Sequence, residues 1–409
     1  MYDNKKTLKD ANVASKKVVV RFDFNVPIKD KVITNDKRIV AALPTIKYLL
    51  DNKCSIIALS HLGRIKSIDD VKANTKSLAP IAKRLQELLP NNKVIFVDST
   101  DFETIANKAK ELQPGQILLL ENTRYYDVDE NNEVVKHESK NNDELAKFWA
   151  SLGDYFVNDA FGTAHRAHAS NAGIASDIKD SCIGFLVEKE VNSISRAIDQ
   201  PQRPYIAILG GAKVSDKIKV INNLLPKVDK IIICGGMAYT FLAAQGYDIG
   251  KSICEPEMFQ YAKDMLAKGK DKIVLTLDAI CSKEFADVPG ISIDIKDGLK
   301  DYQGLDIGDK TIALFNKTLD GAKTVVWNGP CGVFEFNNYQ KGTYAIAKKL
   351  SELTKSGCYT LIGGGDSAAA IKSLGFKESD YSFVSTGGGA SLALIEGSTL
   401  PGIDKISNK

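Results

Sequence analysis

Two α/β domains in tandem are the architecture this sequence predicts, and three observations carry it. Short apolar runs alternate with amphipathic helical stretches along the whole chain. Those runs are apolar throughout instead of alternating, as expected of parallel strands covered on both faces. The rhythm occurs twice, and Gln200-Pro201-Gln202-Arg203-Pro204 breaks it near the middle. The expectation is two Rossmann-like parallel-sheet domains with an interdomain helix and a cleft between them.

In the first half, Val18–Val20, Ser55–Leu59, Val94–Val97, Ile117–Leu120 and Tyr155–Val157 read as buried strands. Helical patterns lie between them over Arg38–Asp51, Leu78–Leu89, Asp101–Leu112 and Asp143–Leu152. The second half gives strands at Tyr205–Leu209, Lys230–Cys234, Lys272–Asp278, Thr324–Trp327, Tyr359–Ile362 and Tyr381–Ser385. Its helical stretches include Asp216–Leu225 and Lys341–Leu353. Phe185–Ile198 is strongly helical, and no Ser/Gly-rich linker separates the halves. The predicted limits are 1–185 for the N-terminal domain, 186–200 for the joining helix and 201–390 for the second domain.

Composition excludes several classes of function. Lys and Arg number 54 and Asp and Glu 51, a formal charge of +3, with no charge runs, so a basic nucleic-acid-binding face is not expected. At 44% hydrophobic and 26% charged, the chain is globular in composition. Met1–Lys6 is polar and lacks the apolar core of a secretory signal. The longest uncharged run, Ile231–Tyr247, is too glycine-rich and polar for a membrane span. Seven Cys without a C-x-x-C pair argue against a disulfide framework or a zinc site. A cytoplasmic protein is the expectation, with no membrane and no nucleic-acid partner.

The basic residues are unevenly distributed: all eight Arg fall in the first 203 residues and all four His in the first 168. Ligands of open α/β sheets bind beyond the carboxyl ends of the strands. In the first half those ends carry Arg21, Asp23 and Asn25, then His61, Gly63 and Arg64, then Glu121, Asn122 and Arg124. Asn158, Asp159, His165, Arg166 and His168 follow the last, and Arg38 opens the first helix. Any one of these is ordinarily a solvated charge. Their recurrence at equivalent positions, in a chain that otherwise uses Lys, favours a small, multiply anionic, hydroxylated ligand.

The second half places glycines at the same edge: Gly210-Gly211-Ala212-Lys213, Gly235-Gly236, Asn328-Gly329-Pro330, Gly363-Gly364-Gly365-Asp366-Ser367 and Gly387-Gly388-Gly389. Glycine lets backbone approach a ligand closely, and a glycine turn opening a helix presents free N–H groups to an anion. Five such turns favour a nucleotide-sized phosphate ligand. Gly246–Ser252 resembles a phosphate-binding loop but has three residues between its glycines where four are required. Gly363-x-Gly365-x-x-Ala368 fits a dinucleotide fingerprint, yet Asp366 would repel a bare pyrophosphate. Mg²⁺ between them removes that conflict and favours a metal–nucleotide complex.

Taken together, these stretches resemble the phosphoglycerate kinase family along nearly the full chain. The resemblance rests on Arg21–Pro27, Ser60–Arg64, Leu120–Arg124, Asn158–His168, Gly210–Lys217, Trp327–Pro330, Gly363–Ser367 and Ser385–Ser391. It implies reversible transfer of the acyl phosphate of 1,3-bisphosphoglycerate to MgADP, giving 3-phosphoglycerate and MgATP, by hinge closure and without a general base. By motif matching, Asp23, Asn25, Arg38, His61, Leu62, Gly63, Arg64, Arg124 and Arg166 would hold the phosphoglycerate. Lys213, Lys217, Gly304, Asn328, Glu335, Gly363, Gly364, Gly365, Asp366 and Ser367 fall on the nucleotide side, with Asp366 the Mg²⁺ contact. Arg38, Lys213 and the amides of Gly387, Gly388 and Gly389 would face the transferring group. The resemblance also implies a monomer whose C-terminal segment, from about Ser391, returns to the N-terminal domain.

The sequence departs from the commonest family pattern in places. Ser367 stands where Thr is usual and keeps the hydroxyl. Ile65 follows Arg64 where Pro is frequent, which predicts a looser loop, and Ala393 replaces a frequent Glu.

Overall fold

The computed structural model describes residues 1–409, which divide into two compact units. The first comprises Met1–Val191 with Thr399–Lys409. It contains β1 (Lys17–Phe22), the hairpin strands β2 (Ile28–Lys29) and β3 (Val32–Ile33), then β4 (Ser55–Leu59) and β5 (Val94–Val97). β6 (Ile117–Leu120), β7 (Tyr155–Asp159) and β8 (Ser181–Ile183) complete it. Apart from the hairpin these form one parallel sheet, in the order β5-β6-β4-β1-β7-β8. Val18, Val20, Ile56, Ala58, Leu119 and Val157 put its core face against Ile39, Ile46, Leu49, Ile81 and Leu85 of the covering helices. Because all run the same way, the polar carboxyl ends of β1, β4, β6 and β7 lie on one edge.

Local chemistry starts the helices where the pattern predicts them. Asp101 Oδ2 accepts from Thr104 N at 2.7 Å and opens Phe102–Glu111, and Asn142 Oδ1 accepts from Leu145 N at 3.0 Å and opens Asp143–Ser151. Helix Lys37–Asp51 brings Arg38 to the carboxyl edge of β1 within its first turn.

The second unit, Asn192–Ser398, holds β9 (Tyr205–Leu209), β10 (Lys230–Ile233), β11 (Ile273–Val274), β12 (Asp278–Ser282) and β13 (Ile291–Asp294). β14 (Gln303–Ile307), β15 (Thr324–Asn328), β16 (Tyr359–Gly363) and β17 (Phe383–Val384) follow. The parallel sheet runs β11-β10-β9-β15-β16-β17, and β13-β12-β14 form a separate antiparallel sheet. The run read as one strand over Lys272–Asp278 therefore splits: Ile273–Val274 pairs with β10, and the antiparallel strand begins at Asp278. Asp278 turns the chain because its buried carboxylate accepts from Thr311 N at 2.8 Å and Lys310 N at 3.1 Å, capping helix Asp309–Leu319. Hydropathy registers the apolar run and not that redirection.

Helix Phe185–Ile198 carries the chain from the first unit into the second, with the division after Val191. The C-terminal return begins at Thr399, later than the Ser391 that the resemblance implies, because helix Gly389–Ile395 belongs to the second unit. From there Asn158 Nδ2 donates to Gly402 O at 2.7 Å, Tyr2 Oη to Asp404 Oδ1 at 2.7 Å and Lys5 Nζ to Ile406 O at 2.8 Å. No helix is long and apolar enough to cross a membrane.

Candidate active site

The carboxyl edge of the first sheet gathers residues from four strand ends. Asp23 and Asn25 follow β1, His61–Arg64 follow β4, Arg124 lies in the 3₁₀ turn Thr123–Asp127 after β6, and Arg166 follows β7. Hydrogen bonds tie several together. Arg38 Nη1 donates to both oxygens of Asp23 at 2.8 Å. Gly63 N donates to Asn25 Oδ1 at 2.9 Å, and Arg124 Nη1 donates to Gly63 O at 2.9 Å. Asn122, fully buried, clamps the β4 loop through Leu62 N at 3.1 Å and Leu62 O at 2.8 Å. Gly63 sits at φ +63°, where a side chain would be strained.

These cations are under-compensated. Arg64 and Arg166 are exposed, and neither guanidinium has an ion-pair or hydrogen-bond partner. Burial pulls Arg124 below its ordinary pKa, and while Asp127 and Glu138 oppose that shift, Arg166 and Arg64 add to it. A guanidinium stays charged regardless, and the neighbouring Arg166 and Arg64 add positive charge that an arriving anion would offset. Burial, then Arg21, Arg124, His168 and Arg38, holds His61 well below its ordinary value, and the imidazole is neutral. His168 is pulled down to about 3 by burial first, then by Arg21, Arg124 and Arg166. Residues up to 147 positions apart in sequence thus share one electrostatic basin. Arg21 is not on its surface: it is fully buried, 3.9 Å from the buried Glu138 carboxylate. Ile65 is buried against Tyr125 and Val128, which ties its segment to the turn after β6.

The second unit has a cavity of about 680 Å³ beyond the carboxyl ends of β9, β10 and β15. Ala212, Gly236, Ile253, Phe285, Val333 and Phe336 make it largely apolar, while Glu335 and Asp366 supply carboxylates on its wall. Gly304 lines it as well, with Tyr239 behind: a Cβ at Gly304 would fall 1.7 Å from the Tyr239 hydroxyl. Size and lining suit one flat apolar group with a polar tail.

Other predicted residues of this unit take supporting positions. Lys217 Nζ donates to Asn328 Oδ1, and Asn328 Nδ2 donates to Gly363 O at 2.8 Å. Burial lowers the Lys217 pKa, with Asp366, Asp216 and Glu396 opposing. Ser367 is fully buried, and its hydroxyl accepts from Gly329 N at 2.7 Å, so it holds the Asn328–Gly329 turn. Lys213 is exposed on its loop, which Glu255 fastens by accepting from Val214 N at 2.6 Å. Gly364 has φ +92° immediately before helix Gly365–Ser373, which carries Asp366 in its first turn. Gly387 N donates to Ser385 Oγ at 3.2 Å, leaving Gly388 and Gly389 to open the next helix.

Some glycines serve the fold first. A Cβ on Gly210 would lie 2.0 Å from Pro330 O, and one on Gly235 would lie 2.8 Å from Gly211 N. The turns after β9, β10 and β15 therefore touch backbone to backbone.

The phosphoglycerate kinase family model matches residues 8–398. A phosphoglycerate kinase of Spiroplasma citri is 53% identical over 419 aligned positions, covering 99% of this chain and 100% of that protein. One from Enterococcus faecalis is 55% identical over 406, with the same coverage. The chain belongs to the phosphoglycerate kinase family. Among solved structures, phosphoglycerate kinase from Coxiella burnetii superposes with a TM-score of 0.87 at 40% identity, covering 98% of both chains. That from Pyrococcus horikoshii gives 0.77 at 31% identity, again with 98% of each covered. As a phosphoglycerate kinase family member, the chain is a phosphotransferase.

Sequence reasoning passed over Phe285, Phe336 and Ile253, single apolar residues in loops without periodicity, and the buried carboxylate Glu138. Only their place around a cavity or a charge marks them.

Proposed function

We propose that this member of the phosphoglycerate kinase family transfers the acyl phosphate of 1,3-bisphosphoglycerate reversibly to MgADP. The first unit holds the phosphoglycerate and the second the nucleotide. The observation that carries this assignment is the under-compensated cluster of Arg38, Arg64, Arg124 and Arg166 on one unit, matched by an apolar, nucleotide-sized cavity on the other. Guanidinium forks suit phosphate and carboxylate, and Asn25 supplies an amide for a hydroxyl. His61, Leu62 and Gly63 complete the loop around the ligand.

On the nucleotide side, the flat base enters the apolar cavity beside Gly304, with Glu335 receiving ribose hydroxyls. Lys213, Lys217 and Asn328 meet the phosphates, and the Gly363–Gly365 turn with Ser367 shapes their approach. No group of three or more His, Cys, Asp or Glu side chains is arranged to hold a metal alone. The exposed carboxylate of Asp366, on the cavity wall, fits a Mg²⁺ that keeps waters and phosphate oxygens as its other ligands. When bound, Mg²⁺ neutralises phosphate charge.

Neither nucleophile, an ADP phosphate oxygen or a carboxylate, has a proton that must be removed, so positioning and charge neutralisation suffice. The donors for the charge on the transferring group are Arg38 on the first unit and, on the second, Lys213 and the amides of Gly388 and Gly389, with Gly387 N joining them only by giving up its bond to Ser385 Oγ. The substrates are small molecules, and a monomer suffices for this chemistry. The test is incubation with MgATP and 3-phosphoglycerate and detection of ADP. ADP formed only when both are present is expected; none above background overturns the assignment.

A further inference from the structure

Beneath the phosphoglycerate basin lies a buried polar chain that the reaction chemistry does not use. Arg21 Nε donates to Ser170 Oγ at 2.7 Å, its Nη1 to Phe22 O, and its Nη2 lies 3.2 Å from His61 Nδ1. Glu138 anchors the other end. It accepts from Ser170 N at 3.0 Å and from the Ser170 hydroxyl, and its Oε1 lies 3.9 Å from Arg21 Nη2. Arg21, Glu138 and Ser170 are all fully buried. Such a network is costly to bury and makes sense only if it is fully satisfied or gives a specific geometry.

We infer that Arg21, held by Glu138 and Ser170, is a positioning residue that locks His61 in the tautomer carrying its proton on Nε2. The step is one of donor and acceptor inventory. A guanidinium has five N–H donors and no acceptor, so the ring nitrogen facing it must present a lone pair. Nδ1 is that nitrogen, and the proton of the neutral ring is left on Nε2. His61 is 5% exposed and makes no other side-chain hydrogen bond, so the Nε2–H is the donor that an anion in the basin meets. A neutral His in a cluster of arginines thereby adds a directed donor without adding a further charge. Without the lock, the ring would partition between tautomers, and one of them would turn a lone pair toward a phosphate. This deepens the proposed function and rests on its placement of His61 against the phosphoglycerate.

The direct test is two-bond ¹H–¹⁵N correlation spectroscopy of the full-length protein labelled with ¹⁵N-histidine, without substrate. Wild type is expected to show His61 protonated at Nε2, and protonation at Nδ1 would overturn the inference, whatever any variant does. Arg21→Lys retains a donor and should keep the tautomer. Arg21→Met should give a tautomer mixture and raise KM for 3-phosphoglycerate about tenfold, the effect of one charge-assisted hydrogen bond, with KM for MgATP unchanged. If Arg21→Met does not fold, Arg21→Met combined with Glu138→Gln removes both charges together and is read the same way. An Nε2–H tautomer that survives loss of Arg21 overturns the lock. An Nε2–H tautomer in wild type with an unchanged KM for 3-phosphoglycerate in His61→Ala overturns instead the placement of His61 in the substrate site.

Discussion

Both carboxylate oxygens of Asp23 lie 2.8 Å from a single nitrogen, Nη1, of Arg38. One nitrogen therefore satisfies the pair, and Nε and Nη2 of Arg38 stay available to a second anion. Asp23 is largely covered while Arg38 keeps 40% of its side-chain surface exposed. The carboxylate orients the guanidinium without consuming it.

Arg38→Ala is accordingly expected to lower kcat by roughly 10²–10³, the usual consequence of losing one preorganised donor to the transition state. MgADP affinity should change little, because the two lie on different units. Steady-state kinetics and titration calorimetry read the two quantities separately. A kcat near wild type would remove Arg38 from the reacting centre.

Asp366 stands on the nucleotide cavity wall in the first turn of helix Gly365–Ser373. A bare carboxylate there repels phosphate, whereas a carboxylate bridged by Mg²⁺ attracts it. Asp366→Ala should therefore weaken nucleotide binding in the presence of Mg²⁺ by about tenfold or more, the effect of a lost contact to a charged group. In EDTA the same change should leave binding unchanged or tighter. Equal loss with and without metal would reject Asp366 as the metal contact.

The parallel sheets were legible because their strands are continuous apolar runs, and the basin was legible because scarce arginines recur at strand ends. What escaped shares a different physics. β12, β13 and β14 carry Asp278, Ser292, Asp294, Gly304 and Asp306, which break any apolar run, and they are defined by pairing instead. The wall of Phe285 and Phe336, whose rings are 5.2 Å apart, is assembled from two loops. Glycine turns gave the right edge but an incomplete reason, since Gly210 and Gly235 are demanded by backbone packing. Burial likewise separates Arg21 from the other arginines, although sequence spacing treats them alike.

Gly210→Ala tests that packing. Its Cβ would meet Pro330 O at 2.0 Å and Gly329 O at 2.6 Å, both backbone atoms that cannot rotate away. Relief requires the Asn328–Pro330 turn to shift, and Lys217 and Ser367 are bonded to that turn. The variant should lose about 1–3 kcal/mol of stability, the typical cost of overpacking, and show a raised KM for MgADP with phosphoglycerate binding unaffected. Gly365→Ala, where a Cβ meets nothing within 4 Å, should leave stability unchanged. Equal melting temperatures for Gly210→Ala and wild type would show that the turn adapts freely.

Asp159 links the first unit to pH. Its carboxyl is fully buried at the end of β7, and burial raises its pKa to about 7, against the hydrogen bonds from Thr45, Val187 N and Leu186 N. The folded state then binds more protons than the unfolded chain between about pH 4 and 7, so stability falls as pH rises through that window. The contribution is fully present below the ordinary carboxylate range and is lost above about pH 7. Asn keeps the volume and an oxygen to accept from Leu186 N, which lies 2.9 Å from Oδ1, and it never ionises. Asp159→Asn should therefore match wild type near pH 4 and exceed it at pH 8 by on the order of a few kcal/mol. The buried Asp306, also raised to about 7 mainly by burial, adds a slope of the same sign from the second unit, common to both proteins. Urea unfolding of both proteins across pH 4–8 makes the comparison, and parallel curves would mean that Asp159 is already ionised in the folded protein.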